Sequence, residues 1–436
     1  MIKLRQIKFS EGGHRIDYDY VAVGPAAKFF RGCPPFFVRY DQDMSACPQA
    51  IAVIPFVANV LPIAWFAGFA VRVPEIDQTF SEAMIRLREE FRKMYPDHAL
   101  SGSLEAERLT KTAWEGNHRF LLFSGGLDAF TTLVRHRDED LELVTLLGAD
   151  IDPADEKQWQ DCKRHIDQEP MLQKYVRHAI AANMRTFYCP EVEIRLVLGW
   201  WGKVQHGLGM LGILAPLSRS RGCSRAYIAS SVPGDAWGSA PETDNCIRWG
   251  STAVSNDGVE LGRQGKADLL ARFVEETGRY FTLRVCYSEL AKDLNCGRCE
   301  KCYRTMMNLI LANQDPRRFG VAFCPDSYPR MLQLLLRTHS SNALCIIWKE
   351  ISDRARQLVD SGEFFVLADR EAETPFIRRI AAGEIDQALE RNQSALRDRV
   401  ARWRFIARHR YPLMHSTLRQ LRDLALGKPR PPLAHG

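Results

Sequence analysis

Two short stretches of this 436-residue chain carry residue types at spacings that suit chemistry. The first is Ser124-Gly125-Gly126-Leu127-Asp128, which follows the apolar run Phe120–Phe123 and precedes a helical pattern from about Leu127. Consecutive backbone N–H groups at the start of a helix, with the helix dipole behind them, favour an anion. Two glycines let the chain approach a pyrophosphate closely, because no Cβ intervenes. The Ser124 hydroxyl can donate to a phosphate oxygen, and Asp128 is placed to hold a magnesium ion against a nucleotide. A plain strand-to-helix turn accounts for Gly-Gly equally well, so position decides. The turn falls at the carboxyl end of the first strand of a parallel α/β unit, where open sheets bind ligands.

The second stretch is Cys286, Cys296, Cys299 and Cys302, spaced C-x9-C-x2-C-x2-C, with Gly297 allowing a tight turn between two of them. Four thiolates suit tetrahedral zinc, whose structural sites are closed and contribute directly to folding. Chance clustering of free cysteines and an iron–sulfur cluster are the alternatives. The bacterial cluster run calls for a fourth cysteine followed by proline where this chain has Met306. Other cysteines, including Cys33, Cys47, Cys162, Cys223 and Cys345, are scattered and read as ordinary buried thiols.

Two rival nucleotide motifs fall away. Gly207 to Gly212 spells GxGxxG but stands eight residues beyond the apolar run ending at Leu198, whereas a dinucleotide fingerprint begins at the strand end. Gly265-Lys266 lacks the upstream glycine of a Walker A loop.

Around these stretches the pattern predicts an α/β fold with a five-stranded, mostly parallel sheet. Its strands are expected at Phe120–Phe123, Leu141–Leu147, Thr186–Cys189, Ala226–Ser230 and Phe281–Val285. Helices are expected from Leu127, over Pro153–Asn183, over Val204–Ser220 and over Lys266–Glu276, with a hairpin turn at Asn256-Asp257-Gly258. Residues 1–115 read as a strand-rich domain ending in an amphipathic helix, Thr79–Met94, with Phe80, Met84, Ile85, Leu87 and Phe91 as its apolar side. Residues 116–314 form the α/β domain with its zinc knuckle. Residues 315–436 form a helical, basic extension, with helices near Tyr328–Arg337, Ile351–Ser361 and Ile385–Ala407.

A chain of this length with 46% hydrophobic and 26% charged residues can bury a large core, and a net charge of +6 does not by itself indicate nucleic acid. The N-terminal residues show no apolar h-region, so the protein is expected to be cytoplasmic, in a reducing compartment. Ala46 to Val71 has no formal charge and is long enough to span a bilayer, but Pro48, Pro55 and Pro62 interrupt it. The runs Ile51–Val57 and Ile63–Val71 are expected as buried strands, with no membrane association.

FSGGLDAF, from Phe123, resembles the signature of the adenine nucleotide alpha-hydrolase-like (PP-loop) ATP pyrophosphatases, although Ala129 stands where that family usually has a serine. Together with CYSELAKDLNCGRCEKC, from Cys286, it resembles the zinc-containing 7-cyano-7-deazaguanine synthases, QueC, over about Arg119 to Leu311. The resemblance implies a carbon–nitrogen ligase. ATP adenylates a carboxylate, ammonia makes the amide, and a second adenylation carries the amide to a nitrile, with ATP, Mg2+ and Zn2+ bound. It implies a nucleotide loop of Ser124, Gly125, Gly126, Leu127, Asp128 and Ala129. By order in the chain, Lys203, His206, Ser230, Arg263 and Lys266 are further nucleotide contacts, with Asp128, Lys266 and Arg263 catalytic. Each cation has an alternative as a solvated helix-start residue.

The family's Asp-Cys-Arg tripeptide is interrupted here, as Asp244-Asn245-Cys246-Ile247-Arg248, and Arg304 follows Cys302 one place early. These departures, with the long terminal segments, imply a different or larger carboxylate substrate, small or macromolecular, as in QueC-like proteins of bacterial defence and modification systems. Partner proteins are expected at the N- and C-terminal segments. From Arg391 to Arg430 eleven Lys or Arg face two Asp, with Trp403, Phe405 and Tyr411 interleaved, a pattern that suits nucleic acid or the basic face of a packed helix. Two other functions stay open. Sulfur transfer needs a reactive thiol near the loop, such as Cys162, Cys189 or Cys246, and a non-catalytic nucleotide-binding scaffold would account for Ala129 and the extensions.

Overall fold

In the computed structural model, which describes residues 1–230, 237–286, 294–338, 341–393, 400 and 403–406, the chain opens with β1 (Ile2–Ser10), β2 (Arg15–Ala22) and β3 (Phe37–Tyr40). Successive antiparallel pairings join these three strands. The next segment corrects the expectation of buried strands over Ile51–Val57 and Ile63–Val71. It forms α1 (Gln49–Ala52) and α2 (Ile54–Ala67), and only Ala70 and Val71 enter a strand, β4 (Ala70–Asp77). Every residue from Ile54 to Trp65 is buried. A helix apolar all round has no polar stripe, so its sequence carries no helical period to tell it from a strand. Among the described residues no helix is long and apolar enough to cross a membrane.

α3 (Gln78–Met94) matches the amphipathic segment, its first turn capped by Asp77, which accepts from the Phe80 N–H at 2.9 Å. Phe80, Met84, Leu87 and Phe91 are buried as expected, whereas Ile85 is 58% exposed. After β5 (Ser103–Thr110) come β6 (His118–Leu122), α4 (Leu127–Arg135), β7 (Leu141–Leu147), α5 (Glu156–Gln168), β8 (Val176–Ala182) and α6 (Glu191–Arg195). A π-helical turn over Trp201–Gln205 leads to α7 (His206–Gly212), α8 (Ala215–Arg221), β9 (Cys223–Ala229), α9 (Pro241–Asp244), β10 (Arg248–Trp249) and β11 (Thr252–Asp257). The remainder is helical: α10 (Gly262–Thr277), α11 (Glu300–Leu311), α12 (Ser327–Leu335), α13 (Asn342–Leu358), α14 (Arg370–Ala381) and α15 (Glu384–Arg391).

The sheet has eleven strands, not five, in the order β10-β11-β9-β6-β7-β8-β3-β2-β1-β4-β5. The third expected strand, Thr186–Cys189, is a turn; the strand lies earlier, at β8, inside the stretch expected to be helical. The alanine-rich sequence of β8 has little strand propensity, and pairing to β7 on one edge and β3 on the other overrides it. Phe281–Val285 is not a strand either: Leu283 donates to the Phe319 carbonyl and Arg284 to the Gly125 carbonyl, so this segment is spent on the glycine turn. Asn256-Asp257-Gly258 is not a hairpin, because β11 runs parallel to β9 and its last residues are Asn256 and Asp257.

Alternation along the strands sends side chains to two apolar layers. Phe120 and Leu122 of β6 join the layer containing α2, α3, α7 and α8, while Leu121 joins the layer containing α4, α5 and α10 to α15. The N-terminal strands meet the rest where β3 pairs antiparallel with β8, Val38 opposite Ala182 and Tyr40 opposite Ile180. Beside this joint His178 lies between Asp41 and Glu142, its ring nitrogens 3.2 and 2.9 Å from their carboxylates. Burial alone would lower the imidazole, but the two carboxylates outweigh it and raise its pKa to about 9.

α2 is tied by buried polar groups to the π-helical turn that precedes α7, and by Asn59, which donates to the Gly209 carbonyl at 3.3 Å, to α7 itself. Gln205 donates to Asn59 at 2.8 Å and to the Met184 carbonyl at 2.9 Å, and accepts from Trp200 Nε1 at 3.1 Å. Asn59 in turn donates to the Pro55 carbonyl. Since Asn59 and Gln205 are fully buried, Gln205→Leu would strand three polar groups. We expect it to cost about 3 kcal/mol in urea unfolding, and a loss below about 1 kcal/mol would show that the network contributes little.

Candidate functional site

β6 lies between β7 and β9; the chain proceeds from β6 to β7 on one side and from β9 to β11 on the other, so the sheet reverses direction between β6 and β9, the point where open parallel sheets place a crevice at the carboxyl ends of the strands. The Ser124-Gly125-Gly126 turn stands there. Gly125 has φ +76°, a left-handed conformation that favours glycine, and Gly126 is the N-cap of α4 with no side chain bonded to the helix N–H groups. Arg284 holds the turn from behind: its N–H donates to the Gly125 carbonyl at 2.7 Å and its guanidinium to the Ser124 carbonyl at 3.3 Å.

Asp128, in the first turn of α4, faces two cations of α10. Lys266 Nζ donates to Oδ1 at 2.9 Å and Arg263 Nη1 to Oδ2 at 3.1 Å. The Lys266 side chain is only 1% exposed, and its ammonium also donates to the Ser230 carbonyl at 2.5 Å. Ser230 thus joins the site through its backbone. Arg263 Nη2 donates to Thr305 of α11 at 3.0 Å. Burial alone would raise the Asp128 carboxyl, but Lys266 and Arg263 outweigh it, with Arg304 adding to the same field, and hold it below the usual carboxylate range. Asp128 is therefore ionised at neutral pH while its side chain stays 25% exposed. An ionised oxygen donor open to solvent suits a hard divalent cation such as magnesium.

α11 adds two cations, Lys301 and Arg304, that are not among the expected nucleotide contacts. Burial lowers the Lys301 ammonium from its ordinary value while Asp150 raises it, and Arg304 and Arg263 lie near enough to lower it further. Arg304 lies 3.7 Å from Glu300. The signal was present: Lys301 and Arg304 bracket Cys302 at the i, i+3 spacing of one helix face.

Other selected residues separate. Leu127 and Ala129 are buried in the apolar layer, so position 129 presents no group to the crevice. His206 is half-buried, its ring edge-on to Trp201 and Trp237, and burial pushes its pKa down to about 4, leaving it neutral. Lys203 is exposed; its carbonyl accepts from the Tyr95 hydroxyl, and no described contact brings it to the glycine turn. Asp244 is fully buried at the end of α9, takes Ser239 and Asn256 as donors, and has its carboxyl pushed up to about 7 by burial. Of the cysteines considered for sulfur transfer, Cys162 is buried and burial raises its thiol, as it does that of Cys246.

The four knuckle cysteines meet. Their sulfurs all lie within 4.8 Å of one another, with Cys286–Cys299 at 3.8 Å, Cys296–Cys302 at 3.9 Å and Cys299–Cys302 at 3.6 Å. A regular tetrahedron of metal–thiolate bonds of about 2.3 Å has edges of about 3.8 Å, so the cluster could hold a metal such as zinc. Asn295 frames it by accepting from the Val285 N–H and donating to the Leu283 and Gly320 carbonyls. Cys299 is the N-cap of α11 and Cys302 lies in its first turn, two residues before Arg304 and three before Thr305. The knuckle therefore fixes the start of the helix that supports Arg263.

The basic stretch from Arg391 to Arg430 falls mostly outside the described residues; Trp403, within a short helical segment, is 58% exposed. Comparison with known proteins gives no match to a family model, to a curated protein or to a solved structure.

Two outcomes follow from this geometry. Asp128→Asn leaves Lys266 and Arg263 without their counter-charge and should cost about 3 kcal/mol at pH 7. Because the folded carboxyl titrates below its unfolded value, its stabilisation is present above about pH 4 and lost as pH falls through the folded value, so the gap between wild type and Asp128→Asn should close in acid. A gap independent of pH in urea titrations would refute the ion-pair account. The purified protein should also hold about one zinc per chain by mass spectrometry. Cys302→Ser should lose that zinc and lower the melting temperature, and full zinc retention would exclude the knuckle as the site.

Proposed function

We propose that this chain is an ATP-dependent adenylating enzyme that splits ATP into AMP and pyrophosphate while activating a carboxylate or amide. The observation that carries the reading is the pairing of ionised Asp128 with buried Lys266 and Arg263, directly below an uncapped glycine turn at the mouth of a parallel sheet. The uncapped N–H groups of α4 would take the phosphate oxygens, with Ser124 as a hydroxyl donor. Magnesium, when bound at Asp128, would neutralise charge on the departing pyrophosphate. Lys266 and Arg263 hold Asp128 ionised and in place, and their fixed positive charge favours the build-up of negative charge on the phosphates. The acceptor carboxylate oxygen attacks the α-phosphorus and the bond to the β-phosphate oxygen breaks, releasing pyrophosphate. An amine nitrogen then attacks the acyl carbon and AMP leaves.

The acceptor we favour is a 7-deazaguanine-like base or a macromolecular carboxylate, on the strength of the sequence resemblance. Ala129 does not weigh against turnover, since its side chain lies in the apolar layer rather than the crevice. Sulfur transfer gains no support from the raised thiols of Cys162 and Cys246.

The test is pyrophosphate release from radiolabelled ATP and magnesium, with and without 7-carboxy-7-deazaguanine and ammonia. We expect base-stimulated release of AMP and pyrophosphate, reduced at least about 100-fold in a folded Asp128→Asn variant, a loss in the range of removing a transition-state contact. ATP bound but never split, with base and with candidate macromolecular acceptors, would identify a scaffold subunit instead.

A further inference from the structure

The cations at Asp128 are held from a distance by the helical segment that follows the α/β core. Glu350 of α13 points its carboxylate at the start of α10, where Oε2 accepts from the Arg263 N–H at 3.0 Å and Oε1 from the Gln264 N–H at 2.8 Å. These are among the first N–H groups of α10, and the N-cap residue, Leu261, offers no side-chain acceptor. The local backbone is shaped to receive this carboxylate. Gly262 has φ +61°, and a Cβ there would stand 2.4 Å from Glu350 Oε1. α13 reaches both cation-bearing helices. Trp348 Nε1 donates to Glu300 of α11 at 3.1 Å, and Arg354 lies 3.6 Å from Asp268 of α10. Gln264 locks α10 to α11 between these contacts, accepting from the Asn308 side-chain amide and donating to the Asn308 backbone carbonyl.

We propose that Glu350 is a positioning residue for the nucleotide site. By capping α10 across the helix interface it sets the reach of Arg263 and Lys266 to Asp128, so that the C-terminal helices form part of the site. The carboxylate binds the α10 start through two charge-assisted hydrogen bonds and compensates the positive end of that helix. Arg263 lies at the second position of α10 and Lys266 one turn on, so loosening the first turn moves both side chains relative to Asp128. This inference rests on the nucleotide reading of the site.

The test compares full-length wild type with Glu350→Ala, Glu350→Gln and the neighbouring exposed Lys349→Ala. Two readouts are made: Mg·ATP affinity by calorimetry, and hydrogen exchange of the peptide spanning residues 259–268. We expect Glu350→Ala to weaken Mg·ATP about tenfold, the loss of one charged hydrogen bond or more, and to speed exchange at Arg263 and Gln264. Glu350→Gln, which keeps one acceptor, should lie between, and Lys349→Ala should match wild type in both. Should Glu350→Ala fail to fold, Glu350→Gln carries the comparison. Faster exchange with unchanged affinity would overturn the proposal, leaving Glu350 as a cap alone, and so would two unchanged readouts. Wild type that binds no Mg·ATP while the exchange difference persists would bring down the nucleotide reading and this inference with it, but not the cap contact.

Discussion

An ammonium buried to the degree of Lys266 is tolerable only when counter-charge and hydrogen-bond acceptors meet it at contact distance. Asp128 and the Ser230 carbonyl supply these, and they come from the ends of different strand-to-helix units. That one requirement draws α4, the end of β9 and α10 together. Arg263 extends the demand to Thr305 and so to α11, whose start the four cysteines hold. The glycine turn, the cation pair and the knuckle are thus successive members of one packed arrangement. It is ionised at its centre and apolar at its back, where Leu127 and Ala129 enter the core.

Such an arrangement suits chemistry on phosphates because little of it needs to move. The N–H groups of the glycine turn are preorganised by Arg284, and the charge on Asp128 is set before any ligand arrives. Neither His206, half-buried and neutral, nor Asp244, fully buried, has a described bond to this ionised centre, and a Cβ at Gly207 would stand 2.4 Å from Asp244 Oδ1.

The features that could be read from sequence were those whose parts are close in the chain. Gly125-Gly126-Leu127-Asp128 and the cysteine run each declare themselves within one short stretch of chain; the first does join a strand to a helix, and the four sulfurs of the second do meet. Thr305 and Glu350 do not, since their partner Arg263 stands 42 and 87 residues away and nothing in their neighbourhood marks them. The pairing of Lys266 and Arg263 with the same carboxylate was equally invisible, though both residues were selected by order. Errors in the fold share a physical origin. Ile54–Ala67 is a helix buried on all sides and so lacks a polar period, and β8 is a strand of low propensity held by neighbours on both edges. Phe281–Val285 has a strand's apolar composition yet gives its backbone to the glycine turn. In each case long-range packing outweighed local preference.

The joint between β3 and β8 has a consequence for how this chain can be divided. β8 is flanked on its far side by β7, so removing the N-terminal strands would turn it into an edge and bare the backbone groups of Ile180, Ala181 and Ala182 that now face β3. Exposed edges of that kind recruit other chains, and natural proteins blunt them with charges, bulges or prolines, none of which Val176-Arg177-His178-Ala179-Ile180-Ala181-Ala182 offers beyond its first three residues. A fragment beginning near His118 would contain the glycine turn, the cations and the knuckle, and would still be prone to self-association. The α/β core with its site is thus obliged to travel with the strands before it, and the first hundred residues act as the permanent cover of an otherwise adhesive edge.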